Sequence, residues 1–377
     1  MAAQALSAAG LIALHRSAQQ SQQVLEAALV DGLGAAYRDV AVAAGLAPGV
    51  GPAIRPMTVA PSWIWRRRFV ANGGISYGPA GKRNRLDVWR RQDLPTDGRA
   101  SVLIQVPGGG WVIGETRWQA YPLMARLVDA GWVCVPINYR LSPRATFPDH
   151  IVDVKRAIVW VKEHIAEFGG NPDFIAITGG SAGGHLSSLA ALTPNQPEFQ
   201  PGFEDSDTTV QAGVPFYGVY DLADWNGQGG PINNVRFVEQ HVLKVAAAAE
   251  PDRWRRASPI SWVGPDAPPM MLIHGTNDSL APVEGARRMA KELRAESRQP
   301  VVYAELPLTQ HAFDIYASLR TRYTVRAVEQ FLAFVRAGQR RPEDTLGEQE
   351  RGGSVEGAQV ETVAARNSSN AARSASA

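Results

Sequence analysis

The chain has 377 residues, 45% of them hydrophobic and 20% charged, which is enough apolar sequence for one large domain with extensions. Its formal net charge of +2 excludes the strongly basic balance that argues for nucleic-acid binding. Its single cysteine excludes an intramolecular disulfide. Because Cys134 lies in an apolar run that predicts a buried strand, it is interpreted as a core residue and not as a thiol nucleophile.

The N-terminal part is alanine-rich and predicts helix over residues 1 to 47, ending at Gly45 and Pro48. A Pro/Gly-rich linker follows. Residues 63–69 then mix aromatic and basic side chains, which favours either contact with a membrane surface, a cover over an active-site mouth, or an amphipathic segment packed on the domain. We therefore expect a helical extension and linker over residues 1–70.

From residue 71 to residue 338, short β-branched and aliphatic runs alternate with helix-like stretches. Seven strands are predicted, at residues 85–90, 102–106, 133–137, 174–178, 212–216, 270–273 and 301–305. This alternation favours an α/β fold, with a mostly parallel sheet and helices on both of its faces. The long segment 217–265 predicts part of a cap over the pocket. The polar residues 339–377 carry too few large apolar groups to fold, and we expect them to be disordered.

The most informative motif is a G-x-S-x-G that joins a predicted strand to a predicted helix. The apolar run 175–178 leads into Gly179-Gly180-Ser181-Ala182-Gly183, and a helix-like stretch starts at His185. This order predicts a nucleophile elbow, a sharp turn that lifts the Ser181 hydroxyl above the edge of the sheet. The alternative is an ordinary glycine-rich turn whose serine caps the helix.

Two later strand ends carry the groups that such a serine needs. Asp278 follows the strand at 270–273, and His311 lies in the loop after the strand at 301–305. The order serine, acid, histidine is that of α/β-hydrolases. An imidazole accepts the proton of the serine, and a buried carboxylate holds the imidazole in the required tautomer.

Other residues compete for the roles of acid and base. Asp314 is a rival acid, but it follows His311 by only three residues, and Asp221 lies at an earlier strand end where it is expected to shape the rim of the pocket. Among the seven histidines, His311 is the only one after Asp278. The others are His15, His150, His164, His185, His241 and His274, and His274 ends a strand too early in the order.

A glycine run after an earlier strand supplies a fourth element. The strand at 102–106 runs into Pro107, Gly108, Gly109 and Gly110. Such a run lets backbone N–H groups approach the oxyanion of a tetrahedral intermediate, and the N–H of the residue after the nucleophile adds another donor. Taken alone, the same run is also compatible with a plain glycine turn.

With these motifs the chain resembles the α/β-hydrolase-fold carboxylesterases and lipases of the hormone-sensitive-lipase type. The resemblance covers residues 70 to 337, and its matching segments are Gly108-Gly109-Gly110-Trp111, Asn138-Tyr139-Arg140-Leu141-Ser142-Pro143, Gly179-Gly180-Ser181-Ala182-Gly183-Gly184-His185, His274-Gly275-Thr276-Asn277-Asp278 and His311. It implies an α/β-hydrolase fold with a partial cap. It also implies a triad of Ser181 as nucleophile, Asp278 as acid and His311 as base.

The resemblance further implies an oxyanion hole formed by the backbone N–H groups of Gly109, Gly110 and Ala182. The chain departs from the family at Pro107, where the family usually has histidine. Proline has no N–H and no side-chain hydrogen bond with which to brace the loop. From the sequence we therefore expect a modestly active enzyme whose turnover of small esters rises in a Pro107→His variant.

The expected function is hydrolysis of a small-molecule carboxylic ester. An amidase or formamidase of the same fold and a non-catalytic ligand-binding protein are the alternatives. No C-x-x-C, H-E-x-x-H or convincing G-x-G-x-x-G pattern is present, so neither a metal nor another cofactor is expected. Residues 2–14 lack the positive start of a signal peptide, and we expect a cytoplasmic protein, with peripheral envelope association as the alternative. The sequence does not predict the oligomeric state.

Overall fold

The computed structural model describes residues 2–51, 69–116, 119–223 and 234–339. The chain divides into a compact unit of residues 1–334 and a second unit of residues 335–377, of which only 335–339 are described. The predicted linker, the aromatic and basic segment before Phe69, and the tail beyond residue 339 lie outside the described residues.

Eight strands form one sheet in the order β1-β2-β4-β3-β5-β6-β7-β8. Their bounds are β1 Val70–Ser76, β2 Arg85–Trp89, β3 Ala100–Val106, β4 Val133–Pro136, β5 Gly170–Gly180, β6 Ala212–Phe216, β7 Met270–Gly275 and β8 Val301–Leu306. The strand β2 pairs antiparallel with both β1 and β4, and all other neighbouring pairs are parallel. The predicted mostly parallel α/β sheet is confirmed.

The register of the parallel strands brings their carboxyl ends to one level. Val106 of β3 pairs with Gly179 of β5, Gly180 pairs with Phe216 of β6, and Gly275 of β7 pairs with Leu306 of β8. Loops that follow these strands therefore meet at one edge of the sheet, which is where ligands bind in open α/β folds. This edge carries all the predicted site residues.

The edge strand β1 is absent from the sequence prediction. Its sequence contains Asn72, Gly73 and Gly74, residue types that are depleted in strands. Two register irregularities interrupt its pairing with β2, and the N–H of Gly74 bonds the Asp87 carboxylate at 2.7 Å. A side chain of β2 thus supports the pairing of β1 with β2. Strand prediction from residue types cannot recognise such a contact.

Helices flank the sheet and include the predicted one after the elbow. The α-helices are α1 Ala2–Leu33, α2 Tyr37–Ala43, α3 Tyr121–Asp129, α4 Asp149–His164, α5 Ala182–Leu192, α6 Asn234–Phe237, α7 Pro251–Arg256, α8 Val283–Glu296 and α9 Leu319–Gln339. Shorter turns are the 3-10 helices Gly81–Arg83, Ile165–Phe168, Pro197–Phe199 and Pro259–Trp262 and the π-helix Val238–Leu243. The N-terminal segment forms the two helices α1 and α2, with a break at Gly34, whose φ of 76° ends α1.

The N-terminal helices pack on the edge of the sheet at β8 and on α9. The Ser17 hydroxyl donates to the carbonyl of Pro307 at 3.2 Å, and Arg320 donates to the hydroxyls of Ser17 and Ser21 at 2.7 and 3.1 Å. Farther along, Gln330 donates to the carbonyl of Ala47 at 3.1 Å. These contacts attach the extension to β8 and α9. Its boundary at residue 70 and its role at the active-site mouth stay predictions.

Within the described ranges, none of the helices is long and apolar enough to span a membrane. The compartment stays a prediction. Cys134 is fully buried in β4, and burial raises the pKa of its thiol, which agrees with the predicted core role.

Candidate active site

Ser181 lies on a strained turn between β5 and α5. Its φ is 59° and its ψ is −124°, a backbone combination that costs energy for a residue with a side chain. The Ser181 N–H bonds the carbonyl of Phe216 at 3.0 Å, which ties the turn to β6. Its hydroxyl makes no capping hydrogen bond to α5, so the alternative of a serine that merely caps the helix does not apply.

The first turn of α5 presses against the end of β3. A Cβ added to Gly183 would lie 2.1 Å from the carbonyl oxygen of Val106, a distance that no side chain tolerates. A Cβ on Gly108 would lie 3.2 Å from the Cβ of Ser181. The glycines of both segments therefore let the loop after β3 approach the elbow, as the oxyanion-hole prediction requires.

Asp278 and His311 are joined by a short hydrogen bond. Asp278 Oδ2 lies 2.7 Å from His311 Nδ1, and the carboxylate is fully buried while the imidazole is 11% exposed. Asp278 Oδ1 also accepts the N–H groups of Leu280 and Ala281 at 2.9 and 2.8 Å. A carboxylate at Nδ1 places the hydrogen there and leaves Nε2 free to accept a proton.

His274 supports the same carboxylate from the end of β7. Its Nε2 lies 2.9 Å from the carbonyl oxygen of Ala281 and 3.3 Å from Asp278 Oδ2. Both partners are acceptors, so Nε2 of His274 carries the hydrogen. His274 thus contacts the predicted acid but is fully buried and cannot itself replace His311 as the base.

The electrostatic surroundings keep Asp278 ionised. Burial alone would raise its pKa, but hydrogen bonds from His274, His311 and the Ala281 N–H outweigh burial and hold the pKa well below its usual range. Asp278, the predicted acid, therefore keeps its negative charge at every pH at which an imidazole base gains or loses a proton.

The rival acids have other partners. The Asp314 carboxylate accepts a hydrogen bond from the Tyr217 hydroxyl, and the Asp221 carboxylate lies 3.1 Å from the guanidinium of Arg288. Asp221 also lines a cavity of about 380 Å³ with Trp254, which contains none of Ser181, Asp278 and His311, so its predicted place at the rim of the substrate pocket stays a prediction.

The loop after β3 is braced by residues that the sequence analysis did not assign to it. The Tyr139 hydroxyl donates to the carbonyl of Pro107 at 3.0 Å, and the Gly108 N–H donates to Gln119 Oε1 at 2.7 Å. The Gly108 N–H is therefore engaged within the protein, and the oxyanion donors Gly109 and Gly110 stay a prediction. Phe237, from the predicted cap segment, would contact a Cβ on Gly110 at 3.7 Å.

A buried histidine holds the following residue of the loop. The Trp111 indole donates to His185 Nδ1 at 3.2 Å, and His185 Nε2 lies 2.7 Å from the carbonyl oxygen of Ala257. An indole only donates and a carbonyl only accepts, so His185 is a neutral imidazole with its hydrogen on Nε2. Trp111 has a φ of 61°, and this clamp holds that strained residue next to the predicted oxyanion donors.

The His185 clamp predicts a loss of stability in acid. Burial lowers the pKa of His185 to about 4, although the Ala257 hydrogen bond opposes this shift. The unfolded chain, with an ordinary pKa of about 6.5, therefore binds a proton that the folded chain does not, and stability falls as pH drops from about 6.5 to about 4. The loss amounts to about 3 kcal/mol.

Denaturant unfolding at a series of pH values checks this prediction. We expect His185→Gln to reduce the slope of the free energy of unfolding against pH by about one proton between pH 6 and 4.5. Trp111→Phe keeps the buried imidazole and is the control with the wild-type slope. Equal slopes in the wild type and His185→Gln would contradict the neutral clamp.

The braces of the loop also change the expectation for Pro107. The missing histidine at this position suggested a loose loop, yet the Tyr139, Gln119 and His185 contacts hold it on three sides. Because the loop is already held, a histidine at position 107 would not make it more rigid. We therefore expect kcat on nitrophenyl acetate to be unchanged or lowered in Pro107→His. Pro107→Ala, which tests ring stiffness alone, is the control. A rise of kcat by more than about tenfold would restore the loose-loop account.

The structure joins two members of the predicted triad, Asp278 and His311, by a direct hydrogen bond. Ser181 and His311 are not hydrogen-bonded to each other, but Tyr217 packs against His311 and lies against Gly180, the residue before Ser181. The Tyr217 ring centroid lies 4.6 Å from that of His311, and a Cβ on Gly180 would lie 2.6 Å from the Tyr217 hydroxyl. The catalytic roles of all these residues stay predictions.

Known proteins are similar to this chain in sequence and in fold. The sequence profile of the BD-FAE family matches residues 86–293. The probable carboxylic ester hydrolase LipM of Mycobacterium tuberculosis strain H37Rv is 54% identical, over 89% of this chain and 78% of LipM. Esterase LipQ of the same strain is 48% identical, over 85% of this chain and 76% of LipQ.

A solved structure supports the same assignment. The thermophilic esterase Est2 of the planctomycete Thermogutta terrifontis superimposes with a TM-score of 0.60 at 25% identity, over 71% of this chain and 93% of Est2. The family profile covers more than half of the chain, and relatives at about half identity align over most of their length. This chain therefore belongs to the BD-FAE family, within the α/β-hydrolase-fold carboxylesterases that its motifs resemble.

Proposed function

We propose that this protein hydrolyses small-molecule carboxylic esters through an acyl-enzyme on Ser181. The observation that carries the proposal is the 2.7 Å hydrogen bond from His311 Nδ1 to the buried Asp278 carboxylate, at the edge of the sheet that also carries the strained Ser181 turn. The esterase names of LipM and LipQ support the same chemistry.

The first half-reaction forms the acyl-enzyme. Ser181 Oγ attacks the carbonyl carbon of the ester while His311 Nε2 takes the hydroxyl proton. The carbonyl oxygen becomes an oxyanion, stabilised by the N–H groups of Gly109, Gly110 and Ala182. His311 then gives the proton to the leaving alkoxide, and an alcohol departs. Asp278 stabilises the imidazolium that exists between these two proton transfers.

The second half-reaction releases the acid. Water attacks the acyl carbonyl, His311 accepts the proton from that water, and collapse of the second intermediate returns the proton to Ser181 Oγ. The Ser181–His311 hydrogen bond that both halves require is of the kind that often tightens only when substrate is bound.

A panel of nitrophenyl esters from acetate to palmitate, run beside nitroanilides of the same acyl groups, tests this proposal. We expect ester turnover that disappears in Ser181→Ala. Cleavage of the anilides without cleavage of the esters would instead favour the amidase alternative. Absence of any turnover would favour the ligand-binding alternative, which had Pro107 as its sole support.

A further inference from the structure

Tyr217 is a buried residue at the end of β6 that touches both halves of the predicted site. Its φ of 36° is unusual for a residue with a side chain, so the surrounding contacts must hold it in place. Its ring packs against His311 at 4.6 Å between centroids, inclined by 56°, and against Phe313 at 5.8 Å. Its hydroxyl donates to the carboxylate of Asp314.

These contacts matter because part of the loop that carries His311 is exposed to solvent. Leu308 and Tyr316 of this loop are 64% and 74% exposed, and Ala312 has a φ of 58°. Such a loop gains little stability from burial of its own side chains. Tyr217 contacts His311, Phe313 and Asp314 of this loop. The Thr321 hydroxyl also holds the loop, since it donates to the carbonyls of Phe313 and Tyr316 at 3.1 and 2.7 Å.

The imidazole needs more than its bond to Asp278 to be oriented. A single hydrogen bond at Nδ1 fixes the distance to the carboxylate but leaves the ring able to tilt about that bond. The face contact with Tyr217 removes this freedom. A tilt would move His311 Nε2 away from the Ser181 proton, and misplacement by about 1 Å can cost about 100-fold in rate.

Tyr217 also borders the nucleophile side of the site. A Cβ on Gly180 would lie 2.6 Å from the Tyr217 hydroxyl and 2.8 Å from two ring carbons, so the residue before Ser181 lies directly against the phenol. The same residue thus contacts both the elbow segment at Gly180 and the predicted base His311.

We propose that Tyr217 and Asp314 are positioning residues that hold His311 in the orientation needed to accept the Ser181 proton. This inference rests on the proposed function, in which His311 is the base. Asp314, a rival for the role of acid in the sequence, instead anchors the phenol. Burial and the nearby Asp314 carboxylate raise the pKa of Tyr217 well above its ordinary value, so its hydroxyl keeps the proton that it donates.

Three variants test the pair by kcat and KM on a nitrophenyl ester. Tyr217→Phe keeps the ring and deletes the hydroxyl, and we expect kcat to fall about tenfold, the equivalent of one hydrogen bond to a charged group. Tyr217→Leu also removes the ring contact, and we expect a fall of about 100-fold. Asp314→Asn keeps an acceptor oxygen for the hydroxyl, and we expect kcat within about threefold of the wild type.

The split between kcat and KM distinguishes positioning from a merely structural role. We expect KM to stay within about threefold in every folded variant, because the orientation of the base acts in the transition state. Should Tyr217→Leu fail to fold, Tyr217→Phe and Asp314→Asn still decide the matter. A Tyr217→Phe variant with wild-type kcat, or an Asp314→Asn variant as impaired as Tyr217→Phe, would overturn the inference.

Failure of the proposed function gives a different result. A wild type without esterase activity, or a Ser181→Ala variant that keeps it, would refute the triad itself. Wild-type activity that depends on Ser181 and His311 but not on the Tyr217 hydroxyl would refute only the positioning role.

Discussion

Replacing Ser181 with alanine should lower kcat for ester hydrolysis by about 10⁶-fold, because a nucleophile and its base act as a unit. The substitution removes one oxygen that makes no capping hydrogen bond, so the fold should be retained. Alanine and serine both carry a Cβ, so the strained φ of 59° costs alanine about as much energy as it costs serine. Measurement of kcat on nitrophenyl butyrate checks the prediction.

Ser187→Ala is the matched control, since it is the same chemical change six residues farther along, inside α5. The Ser187 hydroxyl is buried and donates to the carbonyl of Gly184 at 3.1 Å. Its loss should cost about 1 kcal/mol of stability and little activity. Activity in Ser181→Ala close to that of the wild type would refute the elbow serine as nucleophile.

The second large effect concerns His311, the predicted base, and Asp278, the carboxylate bonded to it. We expect His311→Ala to lower kcat nearly as far as Ser181→Ala, and Asp278→Asn to lower it by about 10⁴-fold, because an amide leaves the imidazole in the wrong tautomer. Asp314 cannot replace Asp278, since its carboxylate is bonded to the Tyr217 hydroxyl. Single-turnover kinetics on the three variants measure these losses.

The pH profile gives an independent check of the same pair. Activity should fall in acid as the base binds a proton. The lowered pKa of Asp278 keeps the acid ionised over that pH range. The loss of activity with falling pH should therefore have the steepness of one protonating group and not of two. Loss of activity in His274→Ala with retention in His311→Ala would contradict the assignment of the base.

The sequence predicted the parts of the fold that depend on local pattern. Strands β2 to β8 each contain a short run of mostly apolar residues between turn signals, and their alternation with helices predicts a mostly parallel sheet. The strand β1 has no such pattern, since it is an irregular edge strand that contains Asn72 and two glycines. Its pairing depends on the neighbouring strand and not on its own residues.

The candidate site divides in the same way. Ser181, Asp278 and His311 follow from motif and chain order, because strand ends in a parallel sheet converge. Tyr217 belongs to no matching segment, and His274, although part of one, was set aside as a base and given no supporting role. Their contacts depend on how loops from distant parts of the chain pack together. The braces of the loop after Pro107 come likewise from three separate segments, so the missing histidine alone could not indicate the state of the loop.

Covalent labelling tests the central claim most directly. The intact protein would be treated with a fluorophosphonate, and its mass would be measured by mass spectrometry. Digestion would then locate the adduct. We predict one adduct per chain, on Ser181, absent from Ser181→Ala and formed far more slowly in His311→Ala. An active esterase that acquires no adduct, or acquires it on another residue, would contradict the acyl-enzyme account.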